Sequence, residues 1–167
     1  SRSLEDVETP AVVRDLEGTR FCVRGYPHGS KSKLLLIEIS RYIEAQAVRH
    51  GSGTLHAGFQ RLSRIDDERG PARVYERLST TDLDVHVYGV GTECPLDASS
   101  VTVHAENDEE IRKGWFVVFD PPANDDATGA SLLALSDGDG EWEGVWTLDT
   151  ESARRVGTYL EAQYGEL

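Results

Sequence analysis

Lysine is scarce in this sequence: the 167 residues include only three, and 17 basic residues stand against 30 acidic ones. The formal net charge at pH 7 is therefore -13. Binding to a DNA or RNA backbone requires clustered lysine and arginine side chains. The closest basic groupings here are Arg61 with Arg64 and Arg154 with Arg155. These sparse pairs argue against nucleic acid as a direct partner.

Long hydrophobic runs and metal-binding motifs are also missing. No apolar stretch approaches the roughly 20 residues that span a bilayer, and no signal peptide is visible at the start. Cys22 and Cys94 lie far apart, outside any Cys-x-x-Cys pattern, and the five histidines form no closely spaced pair. We therefore expect a soluble, cytoplasmic protein with no metal, no cofactor and no membrane insertion.

Motifs for covalent or nucleotide chemistry are absent as well. No Gly-x-Ser-x-Gly elbow occurs, and the glycines of "YGVGTE" lack the third glycine and following helix of a dinucleotide loop. The segment "SDGDGEWEG" resembles a calcium loop, but predicted strands flank it, so a hairpin turn is the preferred interpretation. The sequence predicts no catalytic residue.

The acidic, lysine-poor composition is typical of proteins from a salt-loving cytoplasm. Hydrated carboxylates keep such proteins dissolved, and at 1 M salt the screening length is only about 3 Å. At low salt the same charges repel one another and destabilise the compact state. We expect a halophilic protein; the alternative is a mildly acidic protein of an ordinary cytoplasm.

Hydrophobic periodicity predicts alternating strands and helices in one domain. Helices are predicted from about Lys33 to Arg49, with Ser32 as the N-cap, from Asp66 to Ser79, and from about Thr150 onward. Strands are predicted at "TLHAGF", "LDVHVYGV" and "GWFVVFD", with a hairpin formed by "ASLLALS" and "EGVWTLD". This order predicts an α/β fold whose mixed sheet has a parallel centre and a C-terminal antiparallel hairpin, flanked by helices. Residues 1–30 are expected to add strands and a loop to the same domain as residues 31–167.

The helix predicted at 33–49 is apolar on two sides. Leu36, Ile39 and their neighbours share one face, whereas Leu34, Ile37 and Val48 lie nearly opposite. A helix that is apolar on two sides is usually covered on two sides. Leu34, Ile37 and Val48 are therefore a candidate interface, covered by another layer of this domain or by a second chain.

Polar residues lie within this helix and at the end of the next strand. Arg41, Glu44, Gln60 and Arg61 form the candidate site for a ligand or partner, because ligands collect beyond the carboxyl ends of parallel strands and arginines bind carboxylates or anions. The alternative is structural: Arg41 and Glu44 are i,i+3 neighbours that pair with each other, and Gln60 and Arg61 cap a helix or tie a loop.

An ordered series of segments resembles the DICT domain, a sensory domain of diguanylate cyclases and two-component systems. The most specific segments are "ISRYIE" from Ile39 to Glu44 and "FQR" from Phe59 to Arg61. They are followed by "YERLS", "DVHVYG", "GWFVVF", "ASLLAL" and "GVWTLD". The resemblance runs from about Leu34 to the end of the chain.

The resemblance implies a non-catalytic sensory or adaptor domain in haloarchaeal signalling, with a suggested role in light responses. No output module is seen next to it, so the implied partner is another signalling protein. Two alternatives stay open: a small-molecule enzyme with Glu44 as base and Arg61 as anion clamp, and a purely structural homodimer through Leu34, Ile37 and Val48.

Overall fold

The computed structural model describes residues 20–24, 30–63, 71–91, 94, 96, 101–123, 126–136 and 141–165. Within these residues there are seven strands and four helices. In chain order they are β1 (Arg20–Arg24), α1 (Ser30–His50), β2 (Ser52–Arg61), α2 (Pro71–Leu78), β3 (Asp82–Val90), β4 (Thr102–Ala105), α3 (Glu109–Lys113), β5 (Gly114–Asp120), β6 (Ala130–Ser136), β7 (Glu141–Thr147) and α4 (Thr150–Tyr164).

All seven strands form one mixed sheet in the order β1-β7-β6-β5-β2-β3-β4. β2, β3 and β4 are parallel, whereas β5 runs antiparallel to β2, and β6, β7 and β1 continue the antiparallel pairing. The predicted mixed α/β sheet and the β6–β7 hairpin are confirmed. The parallel strands lie on one side of the sheet rather than at its centre, because the near-continuously apolar β5 occupies the central position.

The helix boundaries differ from the predicted ones at their starts. α1 begins at Ser30, so Ser32 lies inside the helix and the predicted N-cap at Ser32 is wrong. α1 ends at His50, and the next residue, Gly51, has a positive φ of 83° that favours glycine and donates its N–H to the Ala47 carbonyl at 2.8 Å. Pro71 is the first residue of α2, a position that needs no backbone N–H; residues 66–70 of the predicted helix lie outside the described part.

Side-chain alternation along the strands gives the sheet two different faces. On one face, α1 and α2 cover the main apolar core, which includes Ile39, Leu55, Tyr75, Val117 and Trp146. On the other, α4 packs against β5 and β6 over a smaller cluster. That cluster contains Tyr88, Ile111, Phe116, Leu160 and Tyr164. No helix in the described ranges has the length and apolarity to cross a membrane.

Candidate functional site

Arg41 and Glu44 form an ion pair within one turn of α1. The Glu44 side chain is fully buried, whereas 22% of the Arg41 side chain remains exposed. Burial by itself would lower the pKa of Arg41, but the charge and hydrogen bond of Glu44 outweigh it and raise that pKa. The Arg41 guanidinium therefore stays charged. It lies between the Glu44 carboxylate and the surface.

Tyr75, on α2, completes this group, and we call Arg41, Glu44 and Tyr75 the α1–α2 polar cluster. The Tyr75 ring is fully buried and meets Phe59 edge-on, with centroids 5.2 Å apart. Burial and then the Glu44 carboxylate raise the pKa of the Tyr75 hydroxyl well above its usual range. Within the described residues, neither that hydroxyl nor Glu44 Oε2 has a hydrogen-bond partner of good geometry. Glu44 and Tyr75 nonetheless interact, since a hydrogen bond between them is among the causes of the raised Tyr75 pKa, so the cluster is held by contacts of poor geometry.

Gln60 and Arg61 lie at the carboxyl end of β2, where the strand is irregular. The register with β3 shifts between Gly58 and Arg61, and Gln60 takes a positive φ of 66° that few non-glycine residues adopt. The buried Gln60 amide donates to the Lys113 carbonyl at 3.1 Å, and Arg61 is exposed. The structure therefore pairs Arg41 with Glu44, while Gln60 ties the end of β2 to Lys113, the last residue of α3.

The residues of the candidate interface differ from one another in their surroundings. Ile37 is half-buried. Val48 is also half-buried, but it packs against the main core, so part of the candidate interface is covered by this chain itself. The side chain of Leu34 lies outside what the structure describes.

A second polar group, which sequence reasoning did not find, lies on the opposite face of the sheet. This histidine–tyrosine cluster consists of His56 on β2, His86 and Tyr88 on β3, and His104 on β4. The parallel register places His56 beside His86 and Tyr88 beside His104. The rings of His56, His86 and His104 stack in sequence with centroids 5.1 and 5.2 Å apart, and Tyr88 stacks on His104 at 4.4 Å.

Hydrogen bonds connect these rings in pairs. His56 Nδ1 and the Tyr88 hydroxyl are 2.8 Å apart, and His86 Nδ1 and His104 Nε2 are 2.9 Å apart. His86 Nε2 also lies 3.0 Å from the exposed carboxylate of Asp84. The contact between His86 and His104 holds one proton, because two N–H groups pointing at each other would repel. The described residues hold no group of three or more His, Cys, Asp or Glu side chains placed to bind a metal ion.

His56 is the buried end of this cluster. Burial, and next the neighbouring His86, lower the pKa of His56 to about 3, so the ring is neutral at pH 7. Its Nε2 has no hydrogen-bond partner in the described part of the chain and faces Gly157 of α4. The three histidines of the cluster, His56, His86 and His104, are far apart in the sequence, so no spacing pattern signalled it; only strand pairing brings them together.

The strands β5, β6 and β7 form the floor of an open groove of about 410 Å³ on the same face as α4. We call it the β5–β7 groove. Its lining is apolar apart from two carboxylates. The lining residues are Glu110, Gly114, Phe116, Leu133, Ala134, Leu135, Glu143, Gly144 and Val145.

Among solved structures, the chain is similar to the polyphosphate kinase of Porphyromonas gingivalis, with a TM-score of 0.55 and 12% sequence identity. The match covers 96% of this chain but only 25% of the kinase, and at this identity it shows a shared fold alone. No curated protein matches the sequence. Residues 14–135 match the family model "Sensory domain in DIguanylate Cyclases and Two-component system". Because that match spans most of the chain, the protein belongs to the DICT family of sensory domains.

Proposed function

We propose that this protein is a non-catalytic, cytoplasmic sensory or adaptor domain of haloarchaeal signal transduction, which responds to a ligand or partner by changing its contacts with another signalling protein. Membership of the DICT family supports a sensory role. The observation that carries the proposal is the α1–α2 polar cluster. In it, an almost fully buried carboxylate is paired with an arginine that still reaches the surface.

The cluster offers a physical route from a surface event to a change in packing. A buried polar group whose hydrogen bond is poorly made loses up to about 1–3 kcal/mol, and Glu44 Oε2 and the Tyr75 hydroxyl both lack partners of good geometry. An anionic ligand or partner that takes the Arg41 guanidinium weakens its pairing with Glu44. Glu44 then shifts its hydrogen bonding further to Tyr75, its other polar neighbour, which changes how α1 packs on α2. Such a response requires that the ligand bind one arrangement more tightly than the other.

The enzyme alternative assigns Glu44 as a general base and Arg61 as an anion clamp. A general base must come within about 2.6–3.2 Å of the proton it removes. The fully buried Glu44 side chain is paired with Arg41, whereas Arg61 is exposed at the end of β2. This arrangement favours a structural or sensory role for Glu44 over a catalytic one.

The homodimer alternative rests on Leu34, Ile37 and Val48. Val48 already packs against the main core of its own chain. Of the other two residues, Ile37 is half-buried, and the side chain of Leu34 lies outside what the structure describes.

The test is affinity capture from an extract of the source organism in molar salt, with mass spectrometry of retained proteins and small molecules. The wild type is compared with the double variant Arg41→Gln/Glu44→Gln, which keeps polar side chains at both positions but removes both charges. We expect the wild type to retain a signalling protein or an anionic metabolite that the double variant does not. Equal retention by both would contradict the role of the cluster, and turnover of a metabolite that Glu44→Gln abolishes would establish the enzyme instead.

The light-responsive role suggested by the resemblance requires a bound chromophore. Protein purified in the dark from the source organism should then absorb at visible or near-ultraviolet wavelengths, beyond the absorbance of its aromatic side chains. A spectrum with aromatic absorbance alone would remove light sensing from the proposal and leave the sensory role in place.

A further inference from the structure

We propose that the β5–β7 groove binds a peptide segment of a partner protein, in which apolar side chains stand next to arginine or lysine. The groove lies on the opposite face of the sheet from the α1–α2 polar cluster. The proposal therefore goes beyond the sensing role, and its test is independent of the test of that role.

The first observation is an apolar surface that the described part of the chain leaves open. The walls of the groove are formed by Phe116, Leu133, Leu135 and Val145, and 56% of Leu135 is exposed. The other large hydrophobic residue that is strongly exposed in the described part is Tyr159, at 47%. Its hydroxyl donates to Glu110, which lines the groove, so both exposed residues border the same surface. A contiguous apolar patch with a polar rim is typical of a protein interaction site.

The sheet itself explains why this surface is open. α4 packs on β5 and β6 and approaches His56 of β2 at Gly157, but β7 is not among the strands on which it packs. The Phe116 ring lies directly over Gly58, where an added Cβ would come within 2.2 Å of it. Phe116 therefore fills the space above β2, whereas the described residues leave a groove over β6 and β7.

The second observation is the charge at the rim. Glu110 and Glu143 are the charged residues of the lining, and both are acidic. Asp108 adds a third carboxylate nearby, because the Tyr164 hydroxyl bonds both Asp108 and Glu110. Acidic groups around an apolar floor complement a segment that carries apolar and basic side chains together.

The same charge argues against a second copy of this chain as the occupant. The chain carries a formal charge of -13, so a symmetric dimer through the groove would bring two acidic rims together at a cost in repulsion. An open, shallow floor on three strands also suits an extended or helical segment, whose side chains insert from one side.

The experiment selects a phage-displayed library of random 12-residue peptides against the wild type in 0.5 M KCl, with counter-selection on Leu135→Asp. Enriched peptides are then synthesised, and their affinities are measured by fluorescence anisotropy. We expect them to combine apolar residues with arginine or lysine, and to bind Leu135→Asp and Val145→Asp at least about tenfold more weakly. The two substitutions at separate strands guard against a local folding defect in either one.

A matched pair of charge-reversal variants tests whether peptide binding requires the acidic rim of the groove. Glu143→Lys reverses a charge at the groove, and Glu76→Lys reverses an exposed charge on α2, on the other face of the sheet. Binding of the basic peptides should weaken several-fold in Glu143→Lys and stay unchanged in Glu76→Lys. Three results would overturn the proposal: no enrichment over the counter-selected variant, peptides without basic residues, or equal losses in the two charge variants.

Discussion

Glu44 and Arg41 lie three residues apart on α1, and the carboxylate of this pair is buried whereas part of the guanidinium reaches solvent. Such asymmetry makes the two residues unequal in their effect on stability. The positive charge of Arg41 compensates the negative charge of the Glu44 carboxylate, which is buried and needs a partner.

Replacement of Arg41 alone is therefore expected to be costly. Arg41→Gln leaves the Glu44 carboxylate buried without its partner and should reduce the free energy of unfolding at pH 7 by about 3–5 kcal/mol. The double variant Arg41→Gln/Glu44→Gln should recover most of that loss, because no charge is left in the site. Urea unfolding monitored by tryptophan fluorescence measures both. A loss below about 1 kcal/mol in Arg41→Gln would mean that solvent reaches Glu44.

The strained backbone at Gln60 predicts an unusual order of variant stabilities. Gln60→Ala and Gln60→Gly both remove the hydrogen bond to the Lys113 carbonyl, but only glycine relieves the positive φ of 66°, which costs a non-glycine residue about 1–2 kcal/mol. We expect Gln60→Gly to be the more stable of the two in thermal unfolding. If Gln60→Ala is equally stable, the strain is absent.

Substitutions at Gly157 separate the effect of helix propensity on stability from the effect of packing. A Cβ at this position would lie 3.4 Å from His56 Nε2 and 3.6 Å from Asp120 Oδ2, which is a tight but tolerable contact. Since alanine is about 1 kcal/mol better than glycine inside a helix, Gly157→Ala should keep or slightly raise stability. Gly157→Leu has no space above His56 and should lower the free energy of unfolding by about 1–3 kcal/mol or more. Equal stability of the two variants in urea would show that α4 does not pack this closely.

The lowered pKa of His56 predicts how the stability of the protein depends on pH. The pKa of this ring is about 3 in the folded protein, against about 6.5 when unfolded. Between these values the unfolded chain binds more protons, so the free energy of unfolding falls as the pH drops from about 6.5 toward 3, by up to about 1.4 kcal/mol per pH unit.

The neutral variant His56→Gln isolates this contribution from those of the surrounding groups, which are His86, His104, Tyr88 and the carboxylates Asp84 and Asp120. Its free energy of unfolding should depend less steeply on pH between 6.5 and 4 than that of the wild type. Parallel curves for the two proteins over this range would exclude a depressed His56 pKa.

The expected halophilic character is tested by salt. With a formal charge of -13, the folded chain should gain stability as KCl rises from 0.1 to 3 M, because screening removes the repulsion between its carboxylates. Thermal unfolding in KCl measures this, and a series in sucrose controls for the general effect of excluded cosolutes. A midpoint that does not change between 0.1 and 1 M KCl would favour the ordinary acidic protein.

Elements with strong periodicity were predictable from the sequence. α1, α4 and the apolar β5 follow from the repeat of their side chains, and the β6–β7 hairpin follows from the polar turn between two alternating runs. The precise start of α1 was not predictable, since the helix extends back through Ser30 and Lys31 instead of beginning after Ser32.

The candidate site was predictable only in part. The i,i+3 spacing of Arg41 and Glu44 indicated their pairing, and the position of Gln60 at the end of β2 agrees with the structure. Their burial, and the approach of Tyr75 from α2, depend on how two helices pack, which spacing within one helix does not encode.

By itself, the sequence determined the charge, the α/β class and the DICT family, because these depend on composition and on patterns within short segments. Only the tertiary structure decided that His56, His86 and His104 stack across three strands, and that the described residues leave the floor of β5, β6 and β7 open. Both depend on which strands become neighbours and in which register. Strand order and register are set by long-range packing across the whole sheet, and the pattern within a short segment does not specify them.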